Sequence, residues 1–157
     1  PLSYNGWGDV LVIVFFGFVP VGGTYYVQAL TWTPDVTIAS LICGLLIDTL
    51  LVVNNYRDRE ADARSGKRTV IVRFGEKFGR YFYLMLGVTA SFLCLCFLRE
   101  GHFLAALLPQ LYLIPHFLTW KRMVKIYSGK KLNSILGETS RNMLLMGILI
   151  AIGMLIN

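Results

Sequence analysis

The sequence predicts an all-α membrane protein, a polytopic bundle of five transmembrane helices. Its 157 residues are 55% hydrophobic, with a mean hydropathy of +0.60, which is too apolar for an ordinary soluble domain. Five apolar stretches each approach the roughly 20 residues that a helix needs to cross a bilayer. Fourteen of the fifteen Lys and Arg residues fall between stretches two and three or between four and five. This alternation of charge is typical of a chain that crosses a membrane repeatedly.

Each predicted span follows from one run of apolar residues. Two of the spans contain proline, at Pro20, Pro109 and Pro115. We expect kinks rather than helix ends there, because neighbouring helices can satisfy the backbone groups that a proline frees. The last span is short, and Arg141 and Asn142 at the interface extend it. The expected single membrane domain covers residues 1–157, with spans at about 10–29, 36–53, 81–98, 103–120 and 141–156.

The basic residues give the spans a direction. If all five spans cross the membrane, both basic loops lie on the same side, and the positive-inside rule assigns that side to the cytoplasm. Residues 1–9 then approach the membrane from the cytoplasm, and Asn157 lies outside. Topology therefore accounts for the net charge of +6. The lipid bilayer is an expected partner, and nucleic acid is not.

The segment NNYRDREADARSGKRT places dense charge directly after the second span. If the helix of that span continues into the segment, the carboxylates of Asp58 and Asp62 are neighbours one turn apart. Asp48 and Asn55 fall on the same face, within an arc of about 80°. Mg²⁺ commonly binds one or two carboxylates together with substrate phosphates. Asp58 and Asp62 are therefore the predicted metal ligands, and Asn55 can add a neutral oxygen.

A short basic turn follows the acidic residues. Gly66 allows the chain to turn tightly before Lys67 and Arg68. Arg68 can bind phosphate oxygens with a two-pronged fork, and Lys67 adds a compact positive charge. The residue types alone thus predict Mg²⁺-dependent handling of a diphosphate at the cytoplasmic face. The alternative is a solvated loop stabilised by ion pairs, such as Asp58 with Arg57.

The acidic segment also resembles a known motif. Its Asn-Asn-x-x-Asp-x-x-x-Asp pattern, at residues 54–62, resembles the second aspartate-rich motif of the UbiA superfamily of membrane prenyltransferases. Gly66–Thr69 and the preceding Leu51–Val53 are similar to the MenA-like branch, which prenylates 1,4-dihydroxy-2-naphthoate. Further segments that are similar to that branch are Gly8–Asp9, Phe15–Gly17, Gly23–Gln28, Leu132–Asn133 and Thr139.

The resemblance implies a fold of nine helices around a central cavity, of which this chain is the C-terminal half. A first aspartate-rich motif, in the N-terminal half of the same enzyme, would face the second. The implied reaction is Mg²⁺-dependent transfer of a polyprenyl chain from polyprenyl diphosphate to 1,4-dihydroxy-2-naphthoate, with loss of CO₂. The product, demethylmenaquinone, belongs to menaquinone biosynthesis. The implied location is the bacterial inner membrane, with the active-site loops cytoplasmic.

The resemblance also implies roles for individual residues. Asp58, Asp62 and Lys67 are the expected catalytic residues, with Mg²⁺ held by the two carboxylates. Asn55, Lys67 and Arg68 are expected to bind the diphosphate substrate.

Three residues of the first span, Tyr25, Tyr26 and Gln28, are expected to line the cavity and bind substrate. The aromatic faces of the two tyrosines suit an allylic cation, and Gln28 can hydrogen-bond the acceptor. Alternatively, the tyrosines belong to an interfacial aromatic belt.

Asp48 departs from the small residue that the resemblance leads us to expect. An acid inside a membrane span is a candidate substrate-binding residue, although Asp48 can equally hydrogen-bond a neighbouring helix in its protonated form. His116 is expected to be a packed or interfacial histidine.

Other functions remain open from the sequence alone. One is a prenyltransferase of the same family with another aromatic acceptor. Another is a non-catalytic membrane transport protein, with Asp48 as its coupling site. The CDP-alcohol phosphotransferases also carry acidic metal motifs, but their Ala-Arg pair precedes the acids, whereas Ala63 and Arg64 follow them here.

Overall fold

The computed structural model describes residues 2–156, and within them the chain forms helices and no strands. A short 3₁₀ turn, Leu2–Asn5, precedes five long helices. Each of these is long and apolar enough to cross a membrane, which confirms the predicted all-α fold class. The five are α1 (Gly8–Ala29), α2 (Pro34–Arg64), α3 (Val70–Glu100), α4 (Phe103–Ile126) and α5 (Lys130–Ile156).

Helix α1 changes its winding along its length but does not break. Its middle part, Ile13–Gly22, is a π-helix that contains Pro20, and α-helical turns lie on either side. Small residues bring α1 close to α2, since a Cβ added at Gly44 would lie 2.9 Å from the Ile13 Cα. The helix therefore continues through Pro20 without ending, as predicted.

Helix α2 is 31 residues long, as is α3, and it is the most buried of the five helices. It begins at Pro34 after Thr33, whose hydroxyl accepts a hydrogen bond from the Val36 backbone N–H at 3.3 Å. Its 31 residues give a length of about 46 Å, well beyond a hydrocarbon core of about 30 Å. The helix thus continues from the apolar span through the acidic segment to Arg64, as the spacing of the acids requires.

Helix α3 starts at a second capped turn. Thr69 accepts a hydrogen bond from the Val72 N–H at 3.2 Å. At Gly75 the backbone leaves helical geometry (φ 87°, ψ 171°), so α3 is kinked near its start. A positive φ of this kind is readily accessible to glycine, which lacks a Cβ. The last part of α3, Cys94–Glu100, is wound as a 3₁₀-helix.

Helices α4 and α5 complete the bundle. The prolines of α4 are accommodated in a 3₁₀ stretch at Leu108–Tyr112 and in the first turn of Leu113–Ile126. Helix α5 begins with the 3₁₀ turn Lys130–Leu132 and continues through Asn133–Ile156. It therefore starts well before the predicted span at 141–156, because polar residues occupy its first turns.

Both basic loops lie at the same end of the bundle, which we call the basic end. The Arg57 guanidinium of α2 donates to the Asn133 side chain of α5 at 2.9 Å. Arg59 and Arg80 lie 5.0 and 5.2 Å from the ring centre of Tyr127, which follows α4. These contacts join the end of α2, the start of α3, the end of α4 and the start of α5.

A polar aromatic cluster holds α3, α4 and α5 together inside the bundle. The buried His116 ring lies 3.2 Å from the Leu84 carbonyl through Nε2 and 2.9 Å from the Tyr112 hydroxyl through Nδ1. Because a carbonyl can only accept, Nε2 carries the proton and Tyr112 donates to Nδ1. The Tyr83 hydroxyl is 3.0 Å from Thr139. His116 is therefore a packed histidine, as expected from the sequence.

Candidate active site

Asp58 lies at the basic end on the last turns of α2. The Arg57 guanidinium binds it with two prongs, Nε to Oδ1 at 2.7 Å and Nη2 to Oδ2 at 2.6 Å. Arg57 also donates to Asn54 at 2.7 Å and to Asn133 at 2.9 Å. The ion pair of the alternative loop interpretation is thus present, but it belongs to a network that joins the acidic motif to α5.

Asp62 is paired with the other predicted charge. The Lys67 ammonium lies 3.4 and 3.3 Å from the two Asp62 carboxylate oxygens. The backbone brings them together, since the Lys67 N–H donates to the Asp62 carbonyl at 2.9 Å. Gly66 makes this reversal possible with a φ of 76°. The structure therefore brings together Asp62 and Lys67, as the sequence predicts.

The two carboxylates fit part of a magnesium site. They project from successive turns of one helix, and carboxylate oxygens are ligands that Mg²⁺ prefers. No cluster of three His, Cys, Asp or Glu side chains suited to holding a metal ion occurs in the part of the chain that the structure describes. Asp58 and Asp62 could therefore hold Mg²⁺ together with phosphate oxygens and water, rather than as a complete protein cage.

Asn55 and Lys67 share a small cavity with the start of α1. The cavity has a volume of about 50 Å³, and Asp9 and Thr69 also border it. Asn55 and Asp9 are both buried, with 4% and 8% of their surfaces exposed. A space of this size, lined by several polar groups, is suited to one or two water molecules. The start of α1 is thus part of the polar site.

Arg68 lies at the surface beside this cavity. Its backbone N–H donates to the Tyr4 carbonyl at 2.9 Å, and its own carbonyl lies 2.9 Å from the position of a Cβ at Gly6. The exposed guanidinium remains available at the basic end. Its predicted role in phosphate binding stays a prediction.

Asp48 is fully buried in α2, about two turns before Asn55. No hydrogen-bond donor among the described residues reaches either of its carboxylate oxygens. Its polar neighbour is the side chain of Asp9, on the first turn of α1. A substrate-binding role for Asp48 stays a prediction.

An apolar groove borders α2 on the side of the acidic motif that faces away from the basic end. It has a volume of about 340 Å³, and its walls come from α1, α2, α3 and α5. Cys43 and Ile47 of α2 border it, and they share a helix face with Asn54 and Asp58, within an arc of about 60°. One face of α2 thus carries an apolar wall and then a charged end.

Tyr25, Tyr26 and Gln28 lie at the opposite end of the bundle. Gly8 contacts Leu51 near the acidic motif, whereas Tyr25 borders a cavity of about 510 Å³ together with Thr33. The helix rise puts these three residues about 25 Å from Gly8. Tyr26 and Gln28 are exposed. The structure does not bring them together with the charged residues, and their role in substrate binding stays a prediction.

The contacts of the basic end also involve residues that the sequence analysis did not select. Glu76 lies 3.2 Å from Arg80 and 3.6 Å from Arg59. Hydrogen bonding to Glu76 raises the pKa of Tyr127. The position of Arg57, a basic residue between Asn54 and Asp58, was a signal available in the sequence. Its partner Asn133, however, lies 76 residues away, and no local pattern indicates the contact.

Asp9 is another residue that the sequence analysis did not assign to the site. An acid on the first turn of an apolar span was the available signal.

The fold and site together define a polytopic α-helical membrane protein with paired acids and bases at one end. The chain belongs to the UbiA prenyltransferase family, whose sequence model matches residues 1–155.

Two curated relatives are 1,4-dihydroxy-2-naphthoate octaprenyltransferases. The protein of Haemophilus influenzae is 36% identical over 160 residues, which cover 99% of this chain and 51% of the relative. The protein of Escherichia coli is 41% identical over 95 residues, 60% of this chain and 30% of the relative.

A third relative is the 2-carboxy-1,4-naphthoquinone phytyltransferase of Synechocystis, which is 28% identical over 92 residues, 59% of this chain and 30% of the relative. The chain spans about half the length of the Haemophilus influenzae relative. No solved structure matches it at a significant level.

Proposed function

We propose that the protein transfers a polyprenyl chain from polyprenyl diphosphate to 1,4-dihydroxy-2-naphthoate. The observation that carries this proposal is the face of α2 on which Asp58 stands above an apolar groove. A polyprenyl diphosphate has the same two parts, a charged head and a long apolar chain. The names of the naphthoate relatives favour the acceptor.

The charged end would hold the diphosphate. Asp58 and Asp62 are the residues that would hold Mg²⁺, which when bound supplies positive charge to stabilise the leaving diphosphate. Lys67 and Arg68 lie on the turn after them and supply two further positive charges. Hydrogen-bond donors aimed at developing negative charge are an effective means of lowering a barrier. Asn55, beside Lys67, would orient the phosphates or a water molecule.

The groove would hold the prenyl chain and exclude water. Its lining is almost entirely apolar, and cleavage of the C–O bond produces an allylic cation that water would capture. A dry environment prevents this side reaction. Attack by the electron-rich naphthoate ring would then form the new C–C bond, and loss of CO₂ from the ring would follow.

The protein would lie in the bacterial inner membrane with its basic end in the cytoplasm. Fourteen of the fifteen Lys and Arg residues fall between predicted spans two and three or between four and five, and the positive-inside rule favours this orientation. Both the diphosphate and the dihydroxynaphthoate would therefore reach the site from the cytoplasmic side. A further segment, equivalent to the remainder of the naphthoate relatives, would complete the enzyme.

The test is an assay of diphosphate release by the purified, complete protein. We expect release from polyprenyl diphosphate to require both 1,4-dihydroxy-2-naphthoate and Mg²⁺, and to stop in EDTA. Asp58→Asn and Asp62→Asn should each reduce turnover by at least about 10²-fold, because each would weaken the hold on the Mg²⁺ that stabilises the leaving diphosphate. Glu60→Gln is the matched control, an exposed acid on the same turns, and should retain turnover.

Each outcome of this assay has a distinct meaning. Release with another aromatic acid, but not with the naphthoate, would keep prenyl transfer and change the acceptor. Normal turnover in both aspartate variants would refute the proposed site. Absence of release from folded, complete protein would refute the enzymatic proposal and favour a membrane transport protein.

A further inference from the structure

A basic cavity lies between α4 and α5, on a different face from the acidic motif. It has a volume of about 390 Å³, and four charged residues border it: Lys121, Arg122, Glu138 and Arg141. The volume falls within the range of about 300–1,000 Å³ that is common for small-ligand sites. None of these residues takes part in the contacts of Asp58 or Asp62.

The cavity keeps a net positive charge. The Arg122 guanidinium lies 2.6 Å from the Glu138 carboxylate, and the Glu138 side chain is only 10% exposed. This ion pair neutralises the acid that would otherwise repel an anion. Lys121 and Arg141 therefore give the cavity an excess of two positive charges. Both are exposed, so their head groups can reach a ligand at the membrane surface.

Polar and apolar groups lie directly beside the charged residues. The Asn142 amide, next to Arg141 in the chain, donates to the Thr119 hydroxyl at 2.9 Å, and both residues are buried. The Thr119 hydroxyl also has its own hydrogen to donate. Leu118, next to Thr119, and Pro115, about one turn further from the basic end, also border the cavity. The neighbouring outward face of α4 is apolar, with Ile114 63% exposed.

The rim residue Lys121 is held in place by an aromatic ring. Its ammonium lies 4.6 Å from the centre of the Phe117 ring, which stacks on Trp120 at 5.3 Å. A cation over an aromatic face is stabilised electrostatically. Lys121 directly follows the apolar span expected at 103–120, so its charge lies near one end of that span.

We propose that the cavity between α4 and α5 binds the head group of an anionic phospholipid. Its lining offers a group for each part of such a lipid: Lys121 and Arg141 for the phosphate diester, Thr119 and Asn142 for the glycerol ester region, and Leu118 with the apolar face of α4 for the acyl chains. Arg141 can bind two phosphate oxygens at once. Basic pockets between membrane helices are suited to anionic head groups. This site is separate from the proposed catalytic function and does not depend on it.

The test measures lipid selectivity of the purified, complete protein in nanodiscs. The discs contain phosphatidylglycerol and phosphatidylcholine with identical acyl chains at equal mole fractions, and the lipids that remain bound after detergent exchange are counted by native mass spectrometry. We expect the wild type to retain phosphatidylglycerol at least fivefold over phosphatidylcholine. The double variant Lys121→Ala/Arg141→Ala should bring this ratio close to one.

The matched control removes two charges from the same end but outside the cavity, in Lys125→Ala/Lys131→Ala. It should keep the wild-type ratio. Equal loss in both double variants would show a general surface-charge effect and overturn the proposal, as would an unchanged ratio in Lys121→Ala/Arg141→Ala. If that double variant fails to fold, as judged by its melting temperature, the single Lys121→Gln and Arg141→Gln variants should each lower the ratio at least twofold. Unchanged ratios there would overturn the proposal.

A competition experiment distinguishes a lipid from a soluble phosphate compound. Millimolar glycerol phosphate should leave the bound phosphatidylglycerol in place, because it lacks the acyl chains that contact Leu118. Displacement by glycerol phosphate would assign the cavity to a soluble phosphate ester and overturn the lipid proposal. Since the readout is bound lipid, it is independent of prenyl transfer.

Discussion

A methyl group at Gly87 is expected to destabilise the bundle. An added Cβ would meet the His116 ring at Nε2, Cε1 and Cδ2. Moving the ring would disrupt two hydrogen bonds, from the Tyr112 hydroxyl to Nδ1 at 2.9 Å and from Nε2 to the Leu84 carbonyl at 3.2 Å. The rings of Tyr83 and Tyr112 also stack on it, with centres at 4.7 and 5.0 Å. Gly87→Ala must therefore displace a ring that is held on several sides.

The magnitude follows from three contributions. Overpacking by a methyl group costs about 1–3 kcal/mol. Displacing the His116 ring weakens at least one hydrogen bond inside the membrane, which costs about 0.6 kcal/mol on average. Replacing glycine by alanine within a helix returns up to about 1 kcal/mol. Gly87→Ala should thus lower the free energy of unfolding by about 1–3 kcal/mol.

The assay is a double-mutant cycle, with unfolding followed in the purified, complete protein by circular dichroism during denaturation in SDS. In a His116→Ala background the space beside Gly87 is open, so Gly87→Ala should be neutral or stabilising by up to about 1 kcal/mol. The control is Gly137→Ala on α5, where an added Cβ meets no atom within 4 Å. A cost of Gly87→Ala that is the same in both backgrounds would refute the packing explanation, as would a neutral effect in the wild type.

Three further substitutions test the polar residues, each measured in the purified, complete protein. Arg57→Ala should lower the free energy of unfolding by about 1 kcal/mol, since the Arg57–Asp58 pair is partly exposed, and it should lower turnover at least tenfold because Asp58 loses its two-pronged support. Arg57→Lys keeps the charge without the fork, so full activity there would contradict this explanation. Lys67→Ala should raise the KM for polyprenyl diphosphate about tenfold, corresponding to one charged contact of about 1.4 kcal/mol, and an unchanged KM would remove Lys67 from the donor site. Asp48→Asn should change unfolding by less than about 0.5 kcal/mol, because an amide can donate to Asp9, and complete loss of turnover with intact folding would instead give Asp48 a functional role.

The sequence predicted the helices well because hydropathy is a local property. The five apolar runs each lie in one helix, and the spacing of Asp58 and Asp62 correctly extended the second span into the charged segment. The helix ends were less predictable. Helix α5 starts at Lys130 because its polar first turns pack at the basic end, and hydropathy gives no signal for such turns.

The site was predictable only in its local parts. Asp62 and Lys67 are five residues apart and meet across a tight turn, so their short separation in the sequence is enough to predict the contact. The contacts of Asn133 with Arg57 and of Asp9 with Asp48 depend on how distant helices pack. A single sequence carries no pattern that specifies such pairs. The same is true of His116, whose ring is satisfied by groups from two helices.

The continuity of α2 has a consequence for how the length of the proposed prenyl substrate would be accommodated. One unbroken helix carries both the charged end at Asp58 and the groove wall that extends back to Ala39. These two positions are about 28 Å apart at a rise of about 1.5 Å per residue. If the proposed prenyl diphosphate binds along this face, its head group would be held at Asp58 and the position of its tail would depend on its length. A longer chain would then reach towards Tyr25, beside the cavity of about 510 Å³.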